Sequence, residues 1–325
     1  LDAFCAVVRV FDNEKVFILG GNKEPKKDSP DTQNATTFYN IKTQKFTRGS
    51  NLNYDRWYGS IVRNSENEFI MVGGAKIIPH QVLQDDQISS IPEILTTNED
   101  GSLSWKILED GKSIELLGTN ENEEWSYPKF FLSSDGNPFG ISYNKLWVMD
   151  KKNNYKISKV GEIPLVTGGI SEKIIHKNPN DEKDYKELSL KTISAPVGDR
   201  GSAVMIGKDK ILFIGGQQTG TEYAASNGAI IIDISDSFNP KITKKQSMHF
   251  PRAFADATIL PNGDVFVNGG SASNQASFED FDFSIFTPEI YKTNDDVWKK
   301  LAKSEFRRNY HSSSLLLPDG RIFVG

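Results

Sequence analysis

Two tyrosines, one histidine and the only cysteine of this sequence are the side chains that could act as metal ligands or redox groups. Tyr310 and His311 are adjacent and stand just before a strand and a Pro-Asp-Gly turn at 318–320. A phenol oxygen and an imidazole nitrogen offered at one point suit copper(II) in tetragonal geometry. A bound dication would also lower the pKa of a phenol, so that a tyrosine could bind as phenolate near neutral pH. The pair therefore indicates a metal site if further ligands converge on it.

A repeat of about 50 residues should position these side chains. Apolar strands that end in paired glycine recur at residues 16–21, 69–74, 211–216 and 265–270, and a fifth copy reaches its first glycine at Gly325. A weaker copy, at 138–140, brings the total to six. Strand, turn, strand, Gly-Gly and then two further strands are typical of a kelch blade. We therefore predict an all-β fold, a kelch-type β-propeller with seven blades expected and about six visible.

The spacing of the repeats predicts the domain organisation. Residues 1–325 are interpreted as one β-propeller catalytic domain, because glycine pairs and turn signals recur along the whole chain. The distance along the sequence from one repeat to the next is longer in two cases than in the others, which predicts loop insertions at about 76–125 and 151–195. The second of these segments is polar, and we expect it to be a solvated loop.

One position of the repeat collects the candidate residues. Counting fifteen residues back from the first glycine of a pair leads to Cys5, Tyr58 and Tyr310. The same count in the remaining units gives Trp125, Arg200 and Phe254. Because the blades of a propeller are copies about one axis, side chains at one register should face the same channel. A residue that only caps the channel is the alternative interpretation of each tyrosine.

Composition limits the function classes. The chain has 38 basic and 43 acidic residues, a net charge of -5 and no long block of one sign, so neither nucleic acid nor a membrane surface is indicated as a partner. No apolar run reaches the length of a membrane-spanning helix, and we predict no membrane insertion. With a single cysteine in 325 residues, an intrachain disulfide is excluded.

Three short motifs resemble the copper radical oxidases, the family of galactose oxidase and glyoxal oxidase. They are Phe-Cys-Ala at 4–6, Arg-Trp-Tyr-Gly-Ser at 56–60, and Tyr-His-Ser at 310–312 before Leu-Leu-Leu-Pro-Asp-Gly. The first two are closer to the glyoxal oxidase branch. The resemblance covers essentially the whole chain. It implies a seven-bladed propeller with copper on its axis and a C-terminal β-sandwich domain beyond residue 325.

The resemblance also implies a role for each candidate residue. Cys5 would be joined by a thioether bond to the ring of Tyr58, forming a Cys-Tyr radical cofactor, and Tyr58 would also bind copper and hold the tyrosyl radical. Tyr310 would be the axial ligand and proton acceptor, and His311 an equatorial ligand. The second histidine ligand of the family would come from beyond residue 325, and none of His80, His176 and His249 stands in a matching motif.

The implied reaction is the oxidation of a small aldehyde or primary alcohol by dioxygen, which yields hydrogen peroxide. It is a two-electron oxidation shared between copper(II) and an organic radical. Partners would be the small-molecule substrate and dioxygen, and we expect a monomer. Family habit predicts a secreted or cell-surface protein, with which the Asn-Ala-Thr sequon at 34–36 is compatible.

One feature departs from galactose oxidase. The aromatic residue that stacks over its cross-link would fall near Ala75 and Lys76, where this chain has no ring. Trp57 could shield the site instead, and packing is the alternative role for its indole. Two other functions remain open, since a fold does not fix a function. They are a non-catalytic kelch propeller that binds protein or glycan through its loops, and an inactive member of the family.

Overall fold

The structure is a computed structural model that describes residues 5–21, 33–76, 83–119, 124–164, 171–178, 181–191, 200–216, 225–272 and 284–325, with backbone alone for 171–191. Two compact units divide the chain, Leu1–Gly161 and Glu162–Gly325. Both are built almost entirely from β-strands. No helix in the described part is long and apolar enough to cross a membrane.

The first unit contains three four-stranded antiparallel sheets, each formed by consecutive strands. Their strands are β1 (Val7–Val10), β2 (Lys15–Leu19), β3 (Thr36–Asn40) and β4 (Lys45–Arg48); β5 (Ser60–Arg63), β6 (Phe69–Val72), β7 (Glu93–Thr97) and β8 (Leu103–Ile107); β9 (Lys129–Leu132), β10 (Pro138–Ser142), β11 (Lys145–Asp150) and β12 (Lys156–Glu162). Among the described residues, short 3-10 helices span Asp85–Gln87, Glu109–Gly111 and Lys151–Asn153, and the one α-helix, α1, is Ile114–Leu117.

The second unit contains two further four-stranded sheets and two antiparallel hairpins. The hairpins are β13 (Ser171–Asn178) with β14 (Asp181–Lys191), and β23 (Ser314–Leu316) with β24 (Ile322–Val324). The sheets consist of β15 (Ser202–Gly207), β16 (Lys210–Ile214), β17 (Ala229–Asp233) and β18 (Lys241–Lys244), and of β19 (Asp256–Ile259), β20 (Val265–Asn268), β21 (Glu289–Lys292) and β22 (Val297–Lys300).

Burial explains the apolar runs that precede the glycine pairs. The second strand of a blade is covered on both faces, so β6 (Phe-Ile-Met-Val) and β20 (Val-Phe-Val-Asn) are buried at every position. Strands buried on both faces favour continuous apolar sequence over alternation. The fourth strand lies outermost, and β4 is exposed throughout.

Each unit has its own hydrophobic core between adjacent blades. Phe17 of the first blade packs against Phe69 of the second with ring centroids 4.7 Å apart, and Trp105 belongs to the same cluster. In the second unit the cluster joins Leu212 of β16 to Val267 of β20. Burying a side chain of this size contributes roughly 1.5–3 kcal/mol. These cores fix the blade faces from which the candidate residues project.

The all-β propeller prediction is confirmed, and the blades are assigned more closely by strand pairing. The weak repeat at 138–140 is a complete four-stranded blade, β9 to β12. Within residues 76–125, predicted as an insertion, β7 and β8 complete the second blade, and within 151–195 β12 completes the third. Residues 171–178 and 181–191 of that second segment form the hairpin of β13 and β14. The sixth repeat contributes β23 and β24.

Candidate functional site

In six blades, a residue with left-handed backbone stands at one equivalent position. It lies two residues before the first residue that pairs with the second strand of the blade, which in the last blade is Ser313, just before β23. These residues are Cys5, Tyr58, Tyr127, Arg200, Phe254 and His311, with φ between +49° and +71°. Such a conformation costs roughly 1–2 kcal/mol for a residue with a Cβ. Non-glycine residues in this region concentrate at functional sites, where the surrounding structure holds the strain. We call this set the inner positions.

Pairing corrects the predicted register in two blades. In the third blade Tyr127, not Trp125, holds the inner position, because the β9–β10 pairing puts Ser142 where other blades have their first glycine. In the last blade His311, not Tyr310, holds it. Gly325 pairs with Ser313 and so corresponds to Asn268, the residue before the glycine pair. Counting from Gly140 and Gly325 therefore missed the position by two residues and by one.

An extra residue in the last blade explains why tyrosine and histidine are both presented there. Arg56, Trp125, Arg252 and Arg308 are equivalent, since the carbonyl of each accepts the N–H of the second glycine, or its counterpart, of the preceding blade. One residue separates this carbonyl from the inner position in the second, third and fifth blades. Asn309 and Tyr310 both intervene in the last blade, so Tyr310 is displaced beside His311.

Buried ion pairs hold two of these strand starts in place. Arg56 and Glu93 form an ion pair of 2.9 Å, and both side chains are fully buried. Arg252 and Glu289 repeat the arrangement at 3.0 Å in the fifth blade. Each guanidinium also donates to backbone carbonyls of its own blade, including that of the first glycine. The ion pair and the hydrogen bonds to carbonyls therefore hold in place the backbone that precedes Tyr58 and Phe254.

In the first unit, Cys5, Trp57, Tyr58 and Tyr127 form one cluster. The Tyr58 ring is buried, at 8% exposure, and stacks on Trp57 with ring centroids 3.7 Å apart. On another side the Tyr127 ring lies 4.2 Å from it. The half-buried Cys5 thiol is within hydrogen-bonding reach of Tyr58 and Tyr127. The two residues predicted to form a thioether are thus in contact, as are Trp57 and Tyr58.

The environment of Cys5 keeps its thiol protonated. Burial raises the pKa of Cys5 above its usual value, and hydrogen bonds led by that from Tyr58 offset this only in part. A thiol is a weaker nucleophile than a thiolate. A bond from Cys5 to an aromatic ring replaces an S–H and a C–H bond by one C–S bond, so its formation needs a two-electron oxidant.

The Trp57 indole supplies the ring that is missing after the second glycine pair. Trp57 and Ala75 face each other in an isolated antiparallel bridge, with backbone hydrogen bonds of 2.9 and 3.0 Å. A ring absent at Ala75 is thus supplied from the opposite backbone. The Trp57 side chain is also within hydrogen-bonding reach of the Cys5 thiol.

In the second unit, Tyr310 and His311 lie together at the end of a row of side chains. Their rings stack with centroids 3.8 Å apart. Phe254 lies 4.8 Å from Tyr310, and the guanidinium of Arg200 lies 5.7 Å from the Phe254 ring. Desolvation lowers the pKa of His311, which favours the neutral imidazole that binds metals.

Asp256 lies next to this row. It follows Phe254 by two residues, and its Oδ2 accepts a hydrogen bond of 2.8 Å from Ser312, the residue after His311. Burial raises the pKa of Asp256 to about 6. The contact joins the fifth and sixth blades directly behind the Tyr310-His311 pair.

The predicted residues thus fall into two groups, each described in its own unit. Cys5, Trp57 and Tyr58 come together in the first unit, and Tyr310 and His311 in the second. The other histidines do not extend either group. The ring Nδ1 of His249 lies 2.7 Å from the Glu289 carboxylate, His80 lies outside the described residues, and of His176 only the backbone is described.

Sequence reasoning did not place Tyr127 or Asp256 among the site residues. Tyr127 precedes β9 by the same two residues that separate Tyr58 from β5, so the spacing to the strand was the usable signal. Asp256 gave no signal, because its contact with Ser312 depends on how adjacent blades pack.

The donor set suits copper better than it suits other common metals. Among the described residues, no group of three or more His, Cys, Asp or Glu side chains is placed to hold a metal ion. Tyr310 and His311 offer one phenol oxygen and one imidazole nitrogen side by side. Mixed nitrogen and oxygen donors are suited to copper(II).

Comparison with known proteins agrees with this geometry. The family model described as glyoxal oxidase N-terminus matches residues 1–325. Galactose oxidase of Gibberella zeae is 25% identical over 328 residues, covering 100% of this chain and 42% of that protein. Aldehyde oxidase GLOX1 of Arabidopsis thaliana is 26% identical over 282 residues, covering 83% of this chain and 40% of that protein. The chain therefore spans about two fifths of the length of these relatives.

A solved structure gives the same fold. The solved structure of a fungal alcohol oxidase of the AA5 family, in complex with copper, superposes with a TM-score of 0.73 and 19% identity. The alignment covers 100% of this chain and 58% of that one. The likeness supports the β-propeller.

Proposed function

The chain belongs to the glyoxal oxidase N-terminus family, and from that premise we propose that it is the propeller part of a copper radical oxidase. Its reaction is the oxidation of small aldehydes or primary alcohols by dioxygen, with hydrogen peroxide as the second product. The observation that carries the proposal is the contact of the only cysteine, Cys5, with the buried ring of Tyr58. A protein that only binds a ligand has no need of this contact.

Cys5 and Tyr58 would mature into one redox group. A carbon–sulfur bond forms between Cys5 Sγ and a Tyr58 ring carbon next to the phenol oxygen, and an S–H and a C–H bond break. Two electrons and two protons leave and reduce dioxygen to hydrogen peroxide. Sulfur on the ring lowers the oxidation potential of the phenol, and the stacked indole of Trp57 shields the resulting radical.

Tyr310 would act as the base and His311 as a nitrogen ligand. The phenolate of Tyr310 accepts the proton of the substrate hydroxyl, which belongs to a primary alcohol or a hydrated aldehyde. Tyr58 then takes a hydrogen atom from the carbon that bears this hydroxyl. Copper, when bound by Tyr58, Tyr310 and His311, would supply the second one-electron acceptor and lower the phenol pKa values.

The net reaction balances with dioxygen as the only oxidant. A primary alcohol loses two hydrogens and becomes an aldehyde, and a hydrated aldehyde loses two and becomes a carboxylic acid. Dioxygen gains both hydrogens and both electrons in each case. A secreted or cell-surface location and a monomeric state belong to the same proposal and are supported by the family alone.

The test is cross-link formation in the full-length protein. After aerobic treatment with copper, intact mass spectrometry should show the loss of two hydrogens, and peptide mapping should join the Cys5 and Tyr58 peptides. Tyr58→Phe should abolish the cross-link, whereas Tyr127→Phe should retain it, although Tyr127 also lies near the thiol. Wild-type Cys5 that still alkylates freely after copper treatment would rule out the radical oxidase and leave a binding or inactive propeller.

A further inference from the structure

The Asn-Ala-Thr sequon at 34–36 is a sequence motif that the oxidase chemistry does not use. An Asn-X-Thr triplet is the acceptor of N-linked glycans and, where it is used, lies in a surface loop. Here the triplet leads into β3, the third strand of the first blade. Asn34 is half-buried, and Ala35 and Thr36 are only 7% and 1% exposed. This burial does not suit an acceptor that an enzyme must reach.

The side chain of Asn34 joins the start of β3 to the segment that follows β4. The backbone carbonyl of Asn34 accepts the N–H of Leu52 at 2.8 Å, and its side-chain Nδ2 donates to the carbonyl of Leu52 at 3.2 Å. Leu52 is 2% exposed and belongs to the hydrophobic core of the first unit. We call this pair of bonds the asparagine clamp. The nitrogen that would accept a glycan is therefore a hydrogen-bond donor within the blade.

The fourth blade contains a second asparagine clamp. Asn227 stands two residues before β17, as Asn34 stands two residues before β3, and Met248 follows β18 by the four residues that separate Leu52 from β4. Its two bonds measure 2.8 and 3.1 Å. Asn227 is followed by Gly-Ala and is not part of a sequon. The fold thus uses asparagine at this position with or without a glycosylation triplet.

The hydroxyl of the sequon is also engaged. Thr36 Oγ1 accepts a hydrogen bond of 2.9 Å from the indole Nε1 of Trp105, which lies on β8 of the second blade and is 6% exposed. The hydroxyl at the third position is the feature that distinguishes a sequon from other asparagines. Both groups that define the sequon therefore form hydrogen bonds inside the folded first unit.

We propose that the folded protein carries no glycan at Asn34, and that glycosylation of this residue and closure of the first blade exclude each other. A sugar on Nδ2 would stand where the start of β3 and the segment after β4 are joined. The triplet is accounted for by the asparagine clamp together with the threonine that bonds to Trp105. This inference concerns the fold of the first unit and does not depend on the oxidase proposal.

Peptide mapping of the full-length protein, secreted from a eukaryotic host and purified as the folded fraction, tests the proposal. With or without peptide N-glycosidase, the peptide that contains Asn34 should have its unmodified mass. Lys15→Thr is the matched control, because it completes a sequon at Asn13, which is exposed in the turn between β1 and β2 of the same blade. This variant should carry a glycan at Asn13 and none at Asn34. A glycan on Asn34 of the folded protein would overturn the proposal.

Stability supplies a readout that does not depend on glycosylation. Asn34→Ala leaves the Leu52 carbonyl without its side-chain donor, and we expect the equilibrium constant for unfolding to rise about 5- to 150-fold in urea titrations. Asn227→Ala should have an effect of similar size, and Asn13→Ala should have none. An Asn34→Ala protein as stable as the wild type would refute the asparagine clamp. Each of these outcomes leaves the Cys5–Tyr58 cross-link, and with it the oxidase proposal, untouched.

Discussion

The Trp57 indole stacks on the ring of Tyr58 with ring centroids 3.7 Å apart, and the backbone of Trp57 forms an isolated antiparallel bridge with Ala75. The backbone bridge to Ala75 holds the main chain of Trp57 in place, and the ring stack orients its indole over the phenol of Tyr58. The aromatic cover of Tyr58 therefore comes from the residue immediately before it in the chain. Trp57 and Tyr58 should behave as one unit in any redox chemistry.

Replacing Trp57 should shorten the life of an oxidised Tyr58. We expect Trp57→Ala to reduce the lifetime of the radical, measured by electron paramagnetic resonance in the copper-treated full-length protein, by at least about tenfold, which corresponds to a barrier to decay that is lower by about 1.4 kcal/mol. Trp57→Phe should lose less, because a smaller ring still covers the phenol. Trp298→Phe, a change inside the fifth blade, should leave the lifetime unchanged. An unaltered lifetime in Trp57→Ala would assign the indole to packing alone.

The buried ion pairs should dominate the stability of the strand starts. Glu289→Gln leaves the Arg252 guanidinium buried without a charged partner, and breaking such a pair costs about 3–5 kcal/mol. Urea titration of the full-length protein should report this loss in the free energy of unfolding. Asp319→Asn breaks the exposed pair with Arg321 and should leave the midpoint unchanged. Similar midpoints for both variants would show that the buried pair is dispensable.

Glycine is required in these pairs because a backbone carbonyl of the neighbouring blade lies where a side chain would begin. Gly269 has φ +65°, and an added Cβ would overlap the carbonyl oxygen of Arg308. Gly263 has φ +83° with nothing within 4 Å of such a Cβ. Gly263→Ala should therefore cost only the backbone strain, roughly 1–2 kcal/mol, and Gly269→Ala should cost more or prevent folding. Thermal unfolding of the two variants compares strain alone with strain plus overlap, and equal losses would refute the role of the close approach.

Much of the fold could be predicted from the sequence, because the glycine pairs meet a local backbone requirement that recurs in four of the blades. The Cys5 and Tyr58 positions followed from the same count. The count failed for Trp125 and Tyr310 because register is set by strand pairing, and neither Gly140 nor Gly325 occupies the first-glycine position of its blade. Contacts between blades, such as that of Asp256 with Ser312, depend on packing that a one-dimensional repeat does not encode.

Asp256 should make the stability of the protein depend on pH. Burial raises its pKa from the ordinary value to about 6, so the folded state binds its proton more tightly than the unfolded state does. Its effect is absent below about pH 4, and destabilisation grows as pH rises to about 6 and stays constant above it. Asp256→Asn keeps an acceptor for Ser312 and should stabilise the protein at pH 8 by about 1–3 kcal/mol. Urea titrations at pH 4 and pH 8 should show no gain at pH 4, and a gain equal at both values would contradict the assignment.

The Cys5 thiol offers a test of the first-unit cluster that needs no copper. Its pKa is raised by burial and held partly down by hydrogen bonds, of which that from Tyr58 is the largest. Tyr58→Phe removes this donor, so the pH midpoint of alkylation by iodoacetamide should move further up. Tyr127→Phe should move the midpoint in the same direction by less, and Tyr39→Phe, in the outer part of the first blade, should not move it. A larger shift for Tyr127→Phe than for Tyr58→Phe would mean that the thiol faces Tyr127, and the predicted cross-link partner would have to change with it.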